Sequence, residues 1–490
     1  MTGFAQAIVR HAQRAPHRVA IHCDGQDLGY GTLWERIAQA TCVLQSLGVA
    51  RGDRVAWLGL NDPAMLVLLF AVARLGALLV PLNYRLAAAE LTAILVHSDA
   101  MLLVADAAHG PVAHQLASAQ GIDCLAASAL AQEPVIEAKL LPDATDLPML
   151  LVYTSGTTGR PKGVVHTQGG LLANCAISAH AQELCAADHV LTVLPLFHVG
   201  GLCIQTLPAL HVGATLTLHR HFDAAAWLHA VQQRKPSLAV MVPATLRAVI
   251  ALPGFASADL SSLKMVVTGS SVVPVALIEA FHRRGVPVCQ VYGATETGPL
   301  SIYQQRADAF AQVGAAGHAG QGVAVRLVDA CGHDVAPGAV GEIWVRAPNV
   351  MSGYWRDAAN PDFQDGWFHS GDLAHCDVNG VYRVVGRCKD MIISGGENIY
   401  PAEIENLLAS CPEIADVAVL GQADATWGEV AVAVVVRRAG GQLDADAVMR
   451  LLHGQIARYK MPKRVLFRDA LPKTALGKIE KAVLRATLDA

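Results

Sequence analysis

The chain has 490 residues, 53% of them hydrophobic and 16% charged, with 43 glycines. This composition excludes a disordered chain, and the length exceeds what one core organises, so two or three domains are expected. A net charge of −4, with no basic stripe, argues against nucleic acid as a partner.

The 11 cysteines are odd in number, scattered and form no C-x-x-C pair. That pattern fits reduced thiols in a cytoplasmic protein rather than a disulfide framework or a zinc site. The polar, amphipathic start MTGFAQAIVRHAQRAPHR lacks the apolar core of a secretory signal.

In chain order, RVAWLGLN (54–61) predicts a strand, 63–75 a helix, ALLVPL (77–82) a strand, 87–98 a helix and MLLVAD (101–106) a strand. This is the alternation of a parallel sheet with flanking helices, an α/β fold. The run 64–82 approaches the roughly 20 residues that span a bilayer. Arg74 in its middle costs about 2.5–3.5 kcal/mol on insertion scales, and Gly76 interrupts it, so a buried helix and strand are expected. Peripheral contact with a membrane surface stays open.

The segment LPMLLVY (147–153) reads as a buried strand and VVHT (164–167) as another. Between them lies YTSGTTGRPKG (153–163), which concentrates hydroxyls, glycines and a lysine. Glycines let backbone N–H groups approach an anion, Thr154, Ser155, Thr157 and Thr158 offer hydroxyl donors, and Lys162 offers a compact charge. A polyphosphate suits this loop. It is not a Walker A loop, because Gly156, Gly159 and Lys162 have the wrong spacing and Gly163 follows the lysine. The next unit is the strand KMVVT (264–268), a Gly269-Ser270-Ser271 turn and a helix between Pro274 and Gly285. The strand PVCQVY (287–292) then opens into GATETG, at the end where α/β sheets bind ligands. Glu296 there is a carboxylate of the kind that holds Mg²⁺ together with substrate phosphates. From about 316 the pattern changes to short strands and turns, a β-rich subdomain extending to 388. Residues 390–490 read as a small α+β unit with a helix starting at Pro401.

Three further segments complete a set: GWFHSGDLA (366–374), with Asp372 after a Ser-Gly turn, GRCKDMIISGGENIYPAEIE (386–405), and LPKTALGKIEK (471–481). Together with the 153–163 loop and VYGATETG (291–298), they resemble, in order and spacing, the adenylate-forming superfamily. That group comprises acyl-CoA synthetases, luciferases and the adenylation domains of peptide synthetases. The resemblance runs from about residue 16 to 481 and is closest in wording to fatty acyl-CoA and hydroxycinnamoyl-CoA synthetases. It implies an N-terminal domain (1–388), a hinge at Lys389 and a mobile C-terminal domain (390–490).

The resemblance also implies site roles. The loop residues Thr154 to Gly159 with Lys162 would bind ATP phosphates, as would Thr295, alongside Gly269, Ser270 and Gly293. Tyr292 would stack on adenine, Glu296 would bind Mg²⁺, and Asp372 and Arg387 would hold the ribose. Lys478 would be the catalytic lysine of adenylation. CoA would meet Arg85, Gly395, Gly396, Trp427 and Tyr459, although Met461 stands where some relatives carry a basic residue. The acyl pocket would use His198, which also counts as catalytic in gating it, with Val199, Gly200, Ser271, Ala294 and Gly298. No permanent charge occurs among these pocket positions, so the expected acid is a monocarboxylate with an uncharged tail, fatty or aryl. The implied reaction joins a carboxylic acid to CoA at the expense of Mg·ATP, releasing AMP and diphosphate. The alternative is a freestanding adenylation enzyme that loads a carrier protein.

Overall fold

The computed structural model describes residues 3–131, 145–154, 162–270, 273–357, 362–395, 397–474 and 477–488. Ser155, Gly156, Thr157, Thr158, Gly159, Ser271 and Gly396 lie outside the described residues.

Among the described residues the strands assemble into four sheets. A seven-stranded sheet runs in the order Gly353–Tyr354, Lys162–Thr167, Pro148–Thr154, Leu78–Leu82, Arg54–Leu58, Leu102–Ala105, Asp123–Ala126. From Pro148–Thr154 onward its strands are parallel. The first two are antiparallel. A nine-stranded sheet is likewise parallel from Val288–Tyr292 to Val19–Cys23, with antiparallel strands at both edges. The sheets are therefore mixed, a refinement of the parallel reading. Neighbouring strands joined by short links pair antiparallel, since a parallel return needs a longer crossover.

The apolar run 64–82 splits as its sequence suggests, into the helix Pro63–Leu75 and the strand Leu78–Leu82. Asp62 caps the helix, its carboxylate accepting from the Ala64 N–H at 2.8 Å, and Gly76 ends it at φ 69°. Buried Arg74 donates to Thr41 Oγ1 at 3.0 Å and lies over the Trp34 ring at 4.6 Å. That is how an arginine is tolerated in this core. No helix among the described residues is long and apolar enough to cross a membrane.

The β-rich sheet contains Ala324–Val328, Gly341–Arg346, Phe363–Gln364, Trp367–Cys376 and Tyr382–Arg387, all antiparallel. Two short strands from the same stretch of sequence join other sheets: His318–Ala319 the nine-stranded one and Gly353–Tyr354 the seven-stranded one. The chain then passes through the turn Cys388–Asp390 into the last sheet. There Gly428–Arg437 pairs antiparallel with Ile414–Asp424 and parallel with Arg464–Arg468. Its residues alternate between two cores. Ala431, Ala433 and Val435 face the helices Pro401–Ala409 and Ala445–Leu452, while Val432, Val434 and Val436 face Leu471, Leu484 and Leu488. A strand covered on both faces reads as an unbroken apolar run.

This last unit docks on the large one. Arg247 Nη1 donates to the Ala415 carbonyl at 2.5 Å and to Asp416 Oδ1 at 3.3 Å. Lys473 pairs with the other oxygen of Asp416. A β-carbon built on Gly477 would lie 3.4 Å from that of Ala244.

Candidate active site

The site forms beyond the carboxyl ends of parallel strands in the nine-stranded sheet. After the strand Val288–Tyr292 come Gly293, Ala294 and the short 3₁₀ turn Thr295–Thr297. The Ala294 N–H donates to Thr297 Oγ1 at 2.8 Å. Gly298 closes the turn at φ 70°, and a β-carbon there would meet the Asn349 carbonyl at 2.4 Å, so only glycine fits. Thr295 is buried, and its carbonyl accepts from His166 Nε2–H at 2.9 Å. Burial lowers the His166 pKa to about 4, which keeps the ring neutral.

Burial raises the Glu296 pKa, and hydrogen bonds from its own backbone and the Tyr354 hydroxyl oppose that rise. Tyr354 Oη lies 3.1 Å from Glu296 Oε1 and 3.3 Å from Asp362 Oδ2. Lys162 Nζ reaches the same Asp362 oxygen at 3.2 Å and sits over the Tyr354 ring at 4.5 Å. Lys162 begins a strand, opposite Thr154. The lysine of the phosphate loop and the candidate metal carboxylate are thus joined through Asp362 and Tyr354.

Across the site, Asp372 and Arg387 face each other in register on adjacent strands. Asp372 is therefore a strand residue, not a residue after a free turn as its sequence suggested. Gly371, at φ 67°, kinks that strand, and its N–H is taken by Glu342 Oε1 at 2.9 Å. Arg387 Nε lies 2.8 Å from Asp372 Oδ1, and Tyr292 Oη donates to Asp372 Oδ2 at 2.9 Å. Burial works against the Arg387 charge, but the Asp372 carboxylate, together with its other neighbours including Asp390 and Glu296, outweighs it and raises the pKa.

The docked small domain brings Lys478 to this corner. Its turn is closed by the Thr474 N–H donating to the Lys478 carbonyl at 2.7 Å and the Lys478 N–H donating to Thr474 Oγ1 at 3.2 Å. Desolvation, then the Arg387 guanidinium, lowers the Lys478 pKa to about 8, against the pull of Asp372 and Asp390, although the residue as a whole keeps an exposed surface. Burial and then the Lys478 ammonium lower the His198 pKa to about 4. Lys478, Arg387, Asp372 and His198 therefore share one field. His198 Nδ1 accepts from the Gly200 N–H at 3.0 Å, so the neutral ring carries its proton on Nε2.

Next to His198 is a narrow, mostly apolar pocket lined by Leu194, Pro195, Gly200, Gly201, Ile204, Val240, Met241, Val242, Gly269 and Ser270. The expected His198, Gly200, Gly269 and Ser270 meet there. Val199 does not line it, because its side chain is 1% exposed and packs in the main core. Ala294 and Gly298 belong to the turn already described.

The expected thiol-side residues stand apart. Gly395 donates its N–H to the Trp427 carbonyl at 2.8 Å, and a β-carbon on it would strike the Trp427 ring at 2.8 Å. Trp427 is 49% exposed, with Lys463 Nζ 5.8 Å from its ring centre, and Tyr459 is 43% exposed. Arg85 is exposed and lies over Tyr84, whose ring meets Phe197 edge-on at 5.6 Å. Sequence reasoning missed Tyr354, Asp362 and His166. For His166 a signal existed, a histidine inside an otherwise apolar strand.

The chain matches the family described as AMP-binding enzyme over residues 8–355 and the AMP-binding enzyme C-terminal domain over residues 403–478. It is 48% identical to an indoleacetate–CoA ligase of Aromatoleum aromaticum, over 98% of this chain and 97% of that one. It is 43% identical to a feruloyl-CoA synthase of an Amycolatopsis species, over 99% and 98% of the two chains. Its fold superposes on the crystal structure of ATP-bound MatB from Rhodopseudomonas palustris with a TM-score of 0.91 at 29% identity, covering 99% and 98% of the chains. The chain belongs to the AMP-binding enzyme family and is an ATP- and Mg²⁺-dependent, acyl-adenylate-forming acid–thiol ligase, an AMP-forming acyl-CoA synthetase.

Proposed function

We propose that the acid is an aryl-substituted monocarboxylate, of arylacetic or arylpropenoic type. The observation that carries this is the pocket beside His198. It is walled by Ile204, Val240, Met241 and Val242, and its described lining holds no carboxylate, lysine or arginine. A second charge on the acid would be buried unpaired there, at a cost of several kcal/mol. The indoleacetate and feruloyl ligases among the relatives support the same class.

In this reading Asp372 and Arg387 hold the ribose, Tyr292 flanks the base, and Lys162 with the 155–159 loop takes the phosphates. Glu296 fits a divalent cation. It is a largely buried carboxylate, next to Thr295, whose ionised form gains from a positive partner. When bound, Mg²⁺ supplies charge neutralisation at the phosphates. Lys478 bridges the acid's carboxylate and the α-phosphate, and acts by position and charge rather than covalently. His198, neutral at pH 7, closes the acyl pocket without repelling Lys478. The small domain, residues 390–490, then turns about Lys389, withdraws Lys478 and brings Gly395, Gly396, Trp427 and Tyr459 toward the thiol. The chain works in the cytoplasm, in keeping with its free cysteines.

The test is AMP release from Mg·ATP with and without CoA, across acetate, hexanoate, palmitate, benzoate, indoleacetate, phenylacetate, coumarate and ferulate. CoA-dependent release should be largest with the aryl acids. Preference for palmitate would refute the aryl assignment. Diphosphate exchange without CoA-dependent turnover would make a carrier protein the acceptor.

A further inference from the structure

Lys162 is the one described cation of the 153–163 loop, and a carboxylate of the chain, that of Asp362, is its partner. Asp362 Oδ2 receives Lys162 Nζ at 3.2 Å and lies 3.3 Å from Tyr354 Oη. Tyr354 supports this arrangement from beneath, its ring 4.5 Å from the ammonium. The strand Gly353–Tyr354 pairs antiparallel with the strand that Lys162 begins, placing Tyr354 opposite Val164. The phenol has a single proton, which it shares between Asp362 and Glu296 Oε1 at 3.1 Å. Two carboxylates, one ammonium and one phenol therefore occupy the side of the site where the polyphosphate must arrive. A polyphosphate brings several negative charges to Lys162, and Asp362 is of the same sign.

We propose that Asp362 is the resident counter-ion of the phosphate-loop lysine. It holds Lys162 in place in the empty enzyme, and Mg·ATP exchanges a phosphate oxygen for the Asp362 carboxylate. Asp362 is thus a positioning residue for ATP entry, and as the pair opens the Tyr354 hydroxyl, still protonated, turns its hydrogen bond from Asp362 wholly to Glu296. The inference rests on the assignment of Lys162 to the phosphates given above.

Both side chains of the pair are partly exposed, at 28% and 38%. Screening therefore limits the competition to about a two- to fivefold effect on affinity. The experiment is calorimetric titration of the full-length enzyme with Mg·ATP and, separately, with AMP. Asp362→Asn, which keeps shape and removes charge, should tighten Mg·ATP about two- to fivefold and leave AMP unchanged, because AMP lacks the β- and γ-phosphates. Asp362→Glu should restore wild-type affinity. In a Lys162→Met background the Asp362→Asn change should have no effect on Mg·ATP. Unchanged or weaker Mg·ATP binding by Asp362→Asn would overturn the proposal, and so would equal tightening of AMP or tightening that persists without Lys162. Failure of the wild type itself to bind Mg·ATP would instead strike at the nucleotide-site assignment.

Discussion

The nucleotide corner and the thiol-side face are built differently. At the corner, Asp372 meets Arg387 at 2.8 Å in register on the adjacent strand and accepts from the Tyr292 hydroxyl at 2.9 Å. The Lys478 ammonium lies within their electrostatic field, although the residue keeps an exposed surface. On the thiol side, Trp427 and Tyr459 are nearly half exposed, and Gly395 contacts Trp427 only within the small domain. A group of charges held by one another loses little order on binding, whereas exposed rings must be ordered by whatever they bind. Under the proposed function, the docked arrangement is the adenylating one and the residues expected on the thiol side act later.

This contrast can be broken by substitutions that should act on one half-reaction alone. Lys478→Ala should have the largest effect, cutting adenylation by roughly 10²–10³-fold or more, as expected for loss of a group that meets developing charge. Thioester formation from supplied acyl-adenylate should persist, and equal loss of both steps would remove Lys478 from its role. Asp372→Asn comes next. It removes the charge opposite Arg387, so KM for Mg·ATP in diphosphate exchange should rise roughly 10–100-fold, from the worth of a charge-assisted hydrogen bond. Trp427→Ala should be milder, raising KM for CoA by about fivefold, the low end of ring-stacking losses, and leaving diphosphate exchange untouched. A parallel loss in diphosphate exchange would place Trp427 at the wrong step.

The smallest effect is one of pH. The Lys478 ammonium has a pKa of about 8 in the free enzyme, so its charge is present below that value and lost above it. For adenylation, kcat/KM should therefore fall tenfold per pH unit well above about 8, and only about twofold at that pH. His198, with a pKa near 4, should contribute no acid limb between pH 5 and 7. A profile flat to pH 10 would mean that the Lys478 charge is not required.

Glu296, Asp372, Arg387 and Lys478 could be singled out because each sits in a short motif that resembles one of the adenylate-forming superfamily; a Gly-Asp turn or a lone C-terminal lysine says little by itself. The helix Pro63–Leu75 was legible through Asp62, Pro63 and Gly76, which mark its ends. What escaped depends on pairing across long sequence distances. Asp362 meets Lys162 from 200 positions away, and Tyr354 reaches Glu296 from 58 away, through a two-residue edge strand that no local pattern announces. The strand position of Asp372 escaped because Ser370-Gly371 reads as a turn, whereas Gly371 kinks a strand that continues. Val199 and Gly200 are adjacent, yet only Gly200 faces the pocket, because the helical turn at 199–201 rotates the first residue into the core.

The central claim is that the enzyme without thiol is already arranged to form the adenylate. The direct measurement is acid-dependent exchange of labelled diphosphate into ATP, with indoleacetate or ferulate, Mg²⁺ and no CoA. The account predicts exchange that requires the acid and disappears in Lys478→Ala. Exchange that appears only when CoA is added would contradict it, because the adenylating arrangement would then depend on the thiol.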